Sequence, residues 1–307
     1  MKTTVLLVNL GTPDSPSVAD VRSYLRQFLN DPRVVDLPWL VRKILVNLII
    51  VPFRAPKSAE IYQKLWTGQG SPIILHGERV QELLQERLGS DFDVELAMRY
   101  KNPSLPDVLE RVRQSNPDQI IVLPLFPQYA SASTGSALQE VMDIVRNWWV
   151  IPSVDFISQY WDHPGFVNAL VERGKQYDWR DYDHVLFSYH GLPERQVDKV
   201  YDKGECRDHD CEHKITEESK YCYKATCYAT TRLLAGGLGI PEENYTVCFQ
   251  SRLDKRWLEP FADKMVIEQA RKGARKLLVF SPSFVADCLE TTIEIADEYQ
   301  ELFEEHS

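Results

Sequence analysis

The stretch VNLGTPDS (8–15) returns in altered form as SYHGLPER (188–195). In both, a strand-like run leads through two residues to a glycine, then to proline and an acid. Two further pairs follow in the same order. VELAMRY (94–100) is echoed by VCFQSRL (247–253), and LPLFPQYASASTGSALQEV (123–141) by VFSPSFVADCLETTIEI (279–295). One pair could arise by chance. Three pairs in the same order point to one fold written twice, with different insertions. Around them, short apolar runs at 4–10, 93–98, 119–126, 184–189, 245–249 and 276–281 read as strands. Amphipathic segments at 76–88, 104–114, 135–147 and 258–273 read as helices. Continuous apolar strands alternating with helices predict parallel sheets covered on both faces.

The expectation is therefore an α/β protein of two Rossmann-like domains, 1–155 and 156–307, with a final helix that can reach back to the first. Ligands of such folds sit at the carboxyl ends of the strands, so the loops at 9–15, 99–102, 127–135, 189–195, 250–257 and 282–290 are the places to look. No glycine pattern here is a dinucleotide or phosphate-loop signature.

A net charge of -10 argues against a nucleic-acid binder. The N-terminal apolar run is too short for a signal peptide and reads as a first strand in a cytoplasmic protein, where clustered cysteines more often bind metal than pair. No run reaches the ~20 apolar residues of a bilayer span. The nearest is LPWLVRKILVNLIIVPF (37–53), either a buried helix or a surface that touches membrane, since Trp39 and the basic Arg42, Lys43 and Arg54 suit an interface.

Three groups can carry chemistry. His190 closes a strand just before Gly191, and a neutral imidazole there can take a proton or bind a metal. Asp287, Glu290, Glu294 and Asp297 recur at the spacing of one α-helical face. A solvated face usually mixes in Lys or Arg, but no basic residue occurs from 277 to 305, so the row suggests a path for cations or protons. The third group lies in GECRDHDCEHKITEESKYCYKATC (204–227), which holds Cys206, Cys211, Cys222 and Cys227 of the six cysteines. The spacing is not that of a zinc ribbon. Four thiolates suit zinc or an iron–sulfur cluster, and spacing alone does not choose. Cys248 reads as strand packing.

Taken together, LLVNLGTPDSP, FPQYASASTG, SYHGLPER, CFQSR and SPSFVADCLET resemble the ferrochelatases, which insert ferrous iron into a porphyrin to make haem. The resemblance runs from residue 4 to about 300. It implies a porphyrin cleft in which His190 accepts a pyrrole proton or meets the iron, with Glu290 as its partner and Asp287 and Glu294 continuing an acidic path. It implies Arg99, Tyr100, Tyr129, Ser131, Ser133, Gln250, Ser251 and Trp257 as lining residues, Arg54 as a propionate partner, and 37–53 as a lip that faces the bilayer in membrane-associated members. Leu10 stands where coproporphyrin-using members have tyrosine, which resembles the protoporphyrin type. Cys288 stands where many members have a second histidine. Some members hold a [2Fe-2S] cluster on four cysteines at this place, implying that role for Cys206, Cys211, Cys222 and Cys227. The rival readings are a coproporphyrin ferrochelatase, a chelatase for another tetrapyrrole or metal, and a non-catalytic iron–sulfur sensor.

Overall fold

β1 (Thr3–Gly11) is buried along almost its whole length, as a central parallel strand covered on both faces must be. Its neighbours are β2 (Phe92–Tyr100) and β3 (Gln119–Pro124), and β4 (Ser153–Phe156) forms the edge, in the all-parallel order β2-β1-β3-β4. The second sheet repeats the centre of this pattern. There β5 (His184–His190) lies between β6 (Tyr245–Gln250) and β7 (Leu277–Phe280), again parallel. The computed structural model describes residues 2–307.

The chain falls into two units. The first runs to Phe126 and adds Ser131–Ser158 and Ala286–Leu289. The second takes Pro127–Ala130, Gln159–Val285 and Glu290–Ser307. In the first, α1 (Val18–Leu29), α2 (Trp39–Ile44), α3 (Val51–Leu65), α4 (Pro72–Leu88), α5 (Leu105–Gln114) and α6 (Ser136–Val145) surround the sheet. The period-2 geometry of β1 divides its side chains. Leu6 and Val8 enter the core under α5 and α6, while Val5 and Leu7 enter the one under α4. Ser17 caps α1 by accepting from the Asp20 amide, and Ser104 caps α5 through Asp107.

The second unit contains α7 (Pro164–Gly174), α8 (Glu194–Val197), α9 (Tyr223–Leu238), α10 (Ala262–Arg271) and α11 (Gln300–His306). Val185, Phe187 and Tyr189 face the α9 side, and Leu186 and Cys248 face α10. The final helix belongs to this unit. Tyr299, Leu302 and Phe303 give it an apolar face that packs with Ala262 and Val266 of α10.

The echo between halves has a physical cause at Gly11 and Gly191. Each follows or ends a central strand and lets the next strand's last carbonyl come close. A Cβ on Gly11 would stand 1.9 Å from the Tyr100 carbonyl oxygen, and one on Gly191 2.7 Å from that of Gln250. The next step repeats as well: Met98 N–H donates to Pro103 O at 2.7 Å, and Phe249 N–H to Pro260 O at 2.8 Å. Three π-helical stretches occur, Leu45–Ile50, Ser131–Gly135 and Glu290–Tyr299, and the last two begin within the echoed segments 123–141 and 279–295. Such wide turns concentrate at functional places.

Candidate active site and cysteine cluster

His190 is the last residue of β5 and is part-buried. Its Nδ1 lies 2.6 Å from the carbonyl oxygen of Gly191. A carbonyl only accepts, so Nδ1 carries a proton, and in the neutral ring Nε2 keeps its lone pair. The ring is bounded by Trp257 and Phe284, at centroid separations of 6.4 and 6.5 Å. Gly191 holds the arrangement from behind, its N–H donating to the Gln250 carbonyl at 2.8 Å. A side chain there would also meet Trp257 at 3.2 Å. The result is an oriented imidazole with apolar walls.

Gln250 joins this strand end to the acidic segment. Its Oε1 accepts from Ser188 Oγ at 2.7 Å. Its Nε2 donates to the Glu290 carbonyl oxygen at 3.1 Å and to Glu294 Oε2 at 3.0 Å. Glu294 also accepts from the Ser251 amide at 2.7 Å, from Ser251 Oγ and from Tyr299 Oη at 3.0 Å. Ser251 reaches it by adopting a left-handed φ of 61°. The Glu294 carboxylate is thus clamped by four groups, whereas Glu290 is tied through its main chain.

The single-faced carboxylate row expected from α-helical spacing does not form. Glu290–Tyr299 is a π-helix with i→i+5 turns, so the three-and-four rhythm no longer brings successive acids to one side. Asp287 precedes the helix, belongs to the first unit and lies 3.8 Å from His76 Nε2. Asp297 is exposed. Of the row, Glu290 and Glu294 share Gln250, the first through its main-chain carbonyl and the second through its carboxylate.

In the first unit the expected lining residues rest on an acid that the sequence reading missed. Asp31 Oδ2 accepts from Arg99 Nη2 at 2.7 Å, Tyr100 Oη at 2.9 Å and Ser136 Oγ at 2.5 Å. Arg99 also donates to Ser136 Oγ at 2.7 Å and pairs with Glu140 at 3.4 Å. Burial works to raise the Asp31 carboxyl, but the Ser136 hydroxyl, the Arg33 amide, the Arg99 charge and the Tyr100 hydroxyl outweigh it and hold it below the usual range. Tyr100 is fully buried, and burial with the Asp31 charge pushes its phenol well up. Leu10 packs beside this cluster, part-buried. Ser131 accepts from Arg33 at 2.9 Å, Ser133 is part-buried on the same π-turn, and Arg54 is exposed on α3. Tyr129, in the second unit, meets Tyr221 edge-on at 5.7 Å.

Replacing Asp31 by alanine leaves Arg99 only its longer pair with Glu140 and takes the acceptor from Tyr100 and Ser136, which is expected to cost about 3–5 kcal/mol. Because the folded carboxyl is depressed, its contribution is fully present above the unfolded value near ~3.9 and is lost as pH falls through the folded one. Urea denaturation of wild type and Asp31→Ala should therefore differ at pH 7 and converge on acidification. A gap independent of pH would refute the ionic account.

The four cysteines are all buried and all belong to the core of the second unit. Three converge: Sγ–Sγ separations are 3.8 Å for Cys206–Cys211, 3.5 Å for Cys206–Cys222 and 3.9 Å for Cys211–Cys222. Cys227 lies one turn into α9, outside this trio. Tyr201 Oη stands 3.0 Å from Cys211 Sγ, and its ring stacks on His209 at 4.0 Å. Hydrogen bonds from the Cys206 and Cys211 thiols hold Cys222 down to about 3, while the same crowding pushes Cys206 and Cys211 up. One thiolate is favoured by the S–H donors beside it and a second is disfavoured next to the first.

The family model for ferrochelatase matches residues 2–307. The ferrochelatase of Coxiella burnetii is 45% identical over 298 residues, covering 95% of this chain and 82% of the relative. That of Legionella pneumophila is 42% identical over 305 residues, covering 99% and 91%. The chain belongs to the ferrochelatase family. Among solved structures, SirB from Bacillus subtilis with Fe3+ aligns with all of this chain and 85% of its own, at a TM-score of 0.51 and 11% identity. That likeness concerns the fold alone.

Within this ferrochelatase-family chain, sequence reasoning singled out His190, Glu290 and the cysteines but missed Asp31, Phe284 and Tyr201. Asp31 sits in an Asn-Asp-Pro run that reads as a helix stop, and its partners Arg99 and Ser136 are distant in sequence. Phe284 lies in the SPSF loop, already marked as a strand end. Tyr201 gave no signal.

Proposed function

We infer that this protein is a lyase that inserts Fe2+ into protoporphyrin IX, releasing two protons and forming protohaem, the last step of haem biosynthesis. Membership of the ferrochelatase family over residues 2–307 carries the reading. The reaction involves no net redox change. Two pyrrole N–H bonds break, four Fe–N bonds form as the iron gives up its previous ligands, and two protons leave. A flat free-base ring resists this, so binding energy from its periphery is used to bend it.

In this reading His190 Nε2 faces the pyrrole nitrogens and takes a proton from them or meets the iron. The Nδ1–H bond to Gly191 supports it by fixing the tautomer. Glu290 is the partner carboxylate, either receiving protons or guiding the cation. Glu294 holds the Gln250–Ser251 loop beside it, and Asp287 stands earlier on the same path. Trp257, Gln250, Ser251, Tyr129, Ser131, Ser133 and Leu10 line the ring's surroundings. Arg99 and Tyr100 act through the Asp31 network, since Tyr100 is fully buried, and Arg54 meets a propionate. The apolar Leu10 favours protoporphyrin over the more highly charged coproporphyrin.

For Cys206, Cys211, Cys222 and Cys227 we propose a [2Fe-2S] cluster. Thiolates are its ordinary ligands, and it supplies a redox-active, oxygen-sensitive centre. Three sulfurs already converge, and Cys227 is the fourth thiol of the same core. The segment 37–53 is proposed to rest on a membrane. Among the described residues no helix is long and apolar enough to cross one, but Trp39, Leu48 and Phe53 are 65%, 68% and 78% exposed while Arg42 turns inward to the Leu37 carbonyl at 2.8 Å.

An anaerobic preparation with a visible spectrum and iron and sulfide analysis, then competition between protoporphyrin and coproporphyrin, tests both parts. The expected result is a coloured protein with two irons and two labile sulfides per chain that prefers protoporphyrin. One zinc and no sulfide would remove the cluster and leave the chelatase reading. Preference for coproporphyrin would overturn the Leu10 argument.

A further inference from the structure

The outward face of 39–53 is apolar to an unusual degree. Trp39, Leu40, Ile44, Leu48, Ile49 and Phe53 are between 49% and 78% exposed. Beside it lies an open concavity of about 760 Å3, walled by α1 on one side and by α2 and its π-turn on the other. Arg22 and Arg26 of α1 and Lys43 of α2 line it, with Asn30 and Asn47 joined across it at 3.2 Å. Arg99 at its floor is already neutralised by Asp31 and Glu140. Arg22, Arg26 and Lys43 make no ion pair among the described residues, although the chain as a whole carries a net charge of -10.

We propose that this concavity seats the phosphate-bearing headgroup of an anionic phospholipid while the adjacent apolar face enters the same bilayer. The inference rests on the reading of 37–53 as membrane-facing and adds to it a lipid class and a site. Lys43 and Asn47 alternate with Ile44 and Leu48 on one continuous helical run. A headgroup in the concavity and acyl chains against the stripe are therefore one placement. An anionic surface would repel a protein of this net charge unless a local basic site faced it. The run 37–57 has no acid and presents Lys43, Arg54 and Lys57, with Arg42 turned inward. A protein partner would explain the apolar stripe but not three clustered cations left without counter-ions inside a hollow.

The test is co-sedimentation of the full chain with vesicles of phosphatidylcholine alone and of phosphatidylcholine mixed with phosphatidylglycerol, at low and high salt. Wild type should bind the anionic vesicles more tightly, and less so as salt rises. The triple variant Arg22→Gln/Arg26→Gln/Lys43→Gln should lose about 100-fold in affinity for them, from roughly fivefold per cation near the surface, and keep its weak binding to neutral vesicles. Leu48→Ser/Phe53→Ser should weaken binding to both. A control triple, Arg271→Gln/Lys272→Gln/Arg275→Gln, removes the same charge elsewhere and should leave binding unchanged. Equal wild-type affinity for both vesicles, or an equal loss in the control, overturns the headgroup site while sparing membrane contact. No binding to either vesicle overturns the membrane reading itself.

Discussion

His190→Ala should slow iron insertion by roughly 100- to 10,000-fold, the usual worth of a positioned proton acceptor, while porphyrin affinity stays near that of wild type. The size corresponds to about 3–5 kcal/mol of barrier. It follows from the division of labour in the ring. Nδ1 is committed to the Gly191 carbonyl at 2.6 Å, so Nε2 is the one lone pair that β5 presents at its carboxyl end. Trp257 and Phe284 bound the imidazole without replacing it, so the variant loses the base and keeps the walls. Glu290→Gln should also impair turnover, because it removes the partner charge while leaving the Gln250 bond to the Glu290 main chain intact. Porphyrin fluorescence titration separates binding from anaerobic initial rates. Unchanged turnover in His190→Ala would remove its chemical role, and lost porphyrin binding with normal residual chemistry would make it a positioning residue.

Gly11→Ala is expected to be the most damaging small change in the chain. Its Cβ would lie 1.9 Å from the Tyr100 carbonyl oxygen, a main-chain atom of the neighbouring strand, and the residue sits at a φ of +107°. The backbone conformation alone costs about 1–3 kcal/mol in a residue with a side chain. Parting β1 from β2 adds more, in the place where Tyr100 meets Asp31. A total above about 4 kcal/mol would consume much of the ~5–15 kcal/mol stability of an ordinary domain. Gly191→Ala should be milder for stability, with a 2.7 Å contact and no left-handed φ, but should displace Trp257 and so weigh on activity. Gly236→Ala, inside α9 with open space around it, should stabilise by about 0.5–1 kcal/mol. Thermal melts of the three variants should rank in that order, and a Gly11→Ala protein as stable as wild type would show that β1 and β2 do not approach as described.

The duplication was legible because it depends on glycine, a residue that sequence displays directly. Gly11 and Gly191 mark equivalent strand crossings, and the proline-bearing loops after β2 and β6 repeat with them. The six strands read from apolar runs are all present. β4 escaped notice because four residues at a sheet edge, alternately exposed, carry little hydrophobic signal. The acidic row was misread for a different reason. Spacing reveals a face only if the helix has 3.6 residues per turn, and the π-helix at Glu290–Tyr299 breaks that assumption. Long-range polar contacts were out of reach as well: nothing near Asp31 announces Ser136 or Tyr100. For 37–53 the composition fitted a buried helix and a membrane lip equally. The inward turn of Arg42 with Leu48 and Phe53 left outside is a tertiary fact.

The most direct measurement is of the reaction's own balance. Purified protein is mixed anaerobically with protoporphyrin IX in a weakly buffered medium with a pH indicator, and ferrous iron is added. Metal insertion by this ferrochelatase-family chain predicts that porphyrin emission falls, the haem band rises at the same rate, and two protons appear per haem formed, far faster than without protein. Emission and proton count that stay at the protein-free rate would contradict the account.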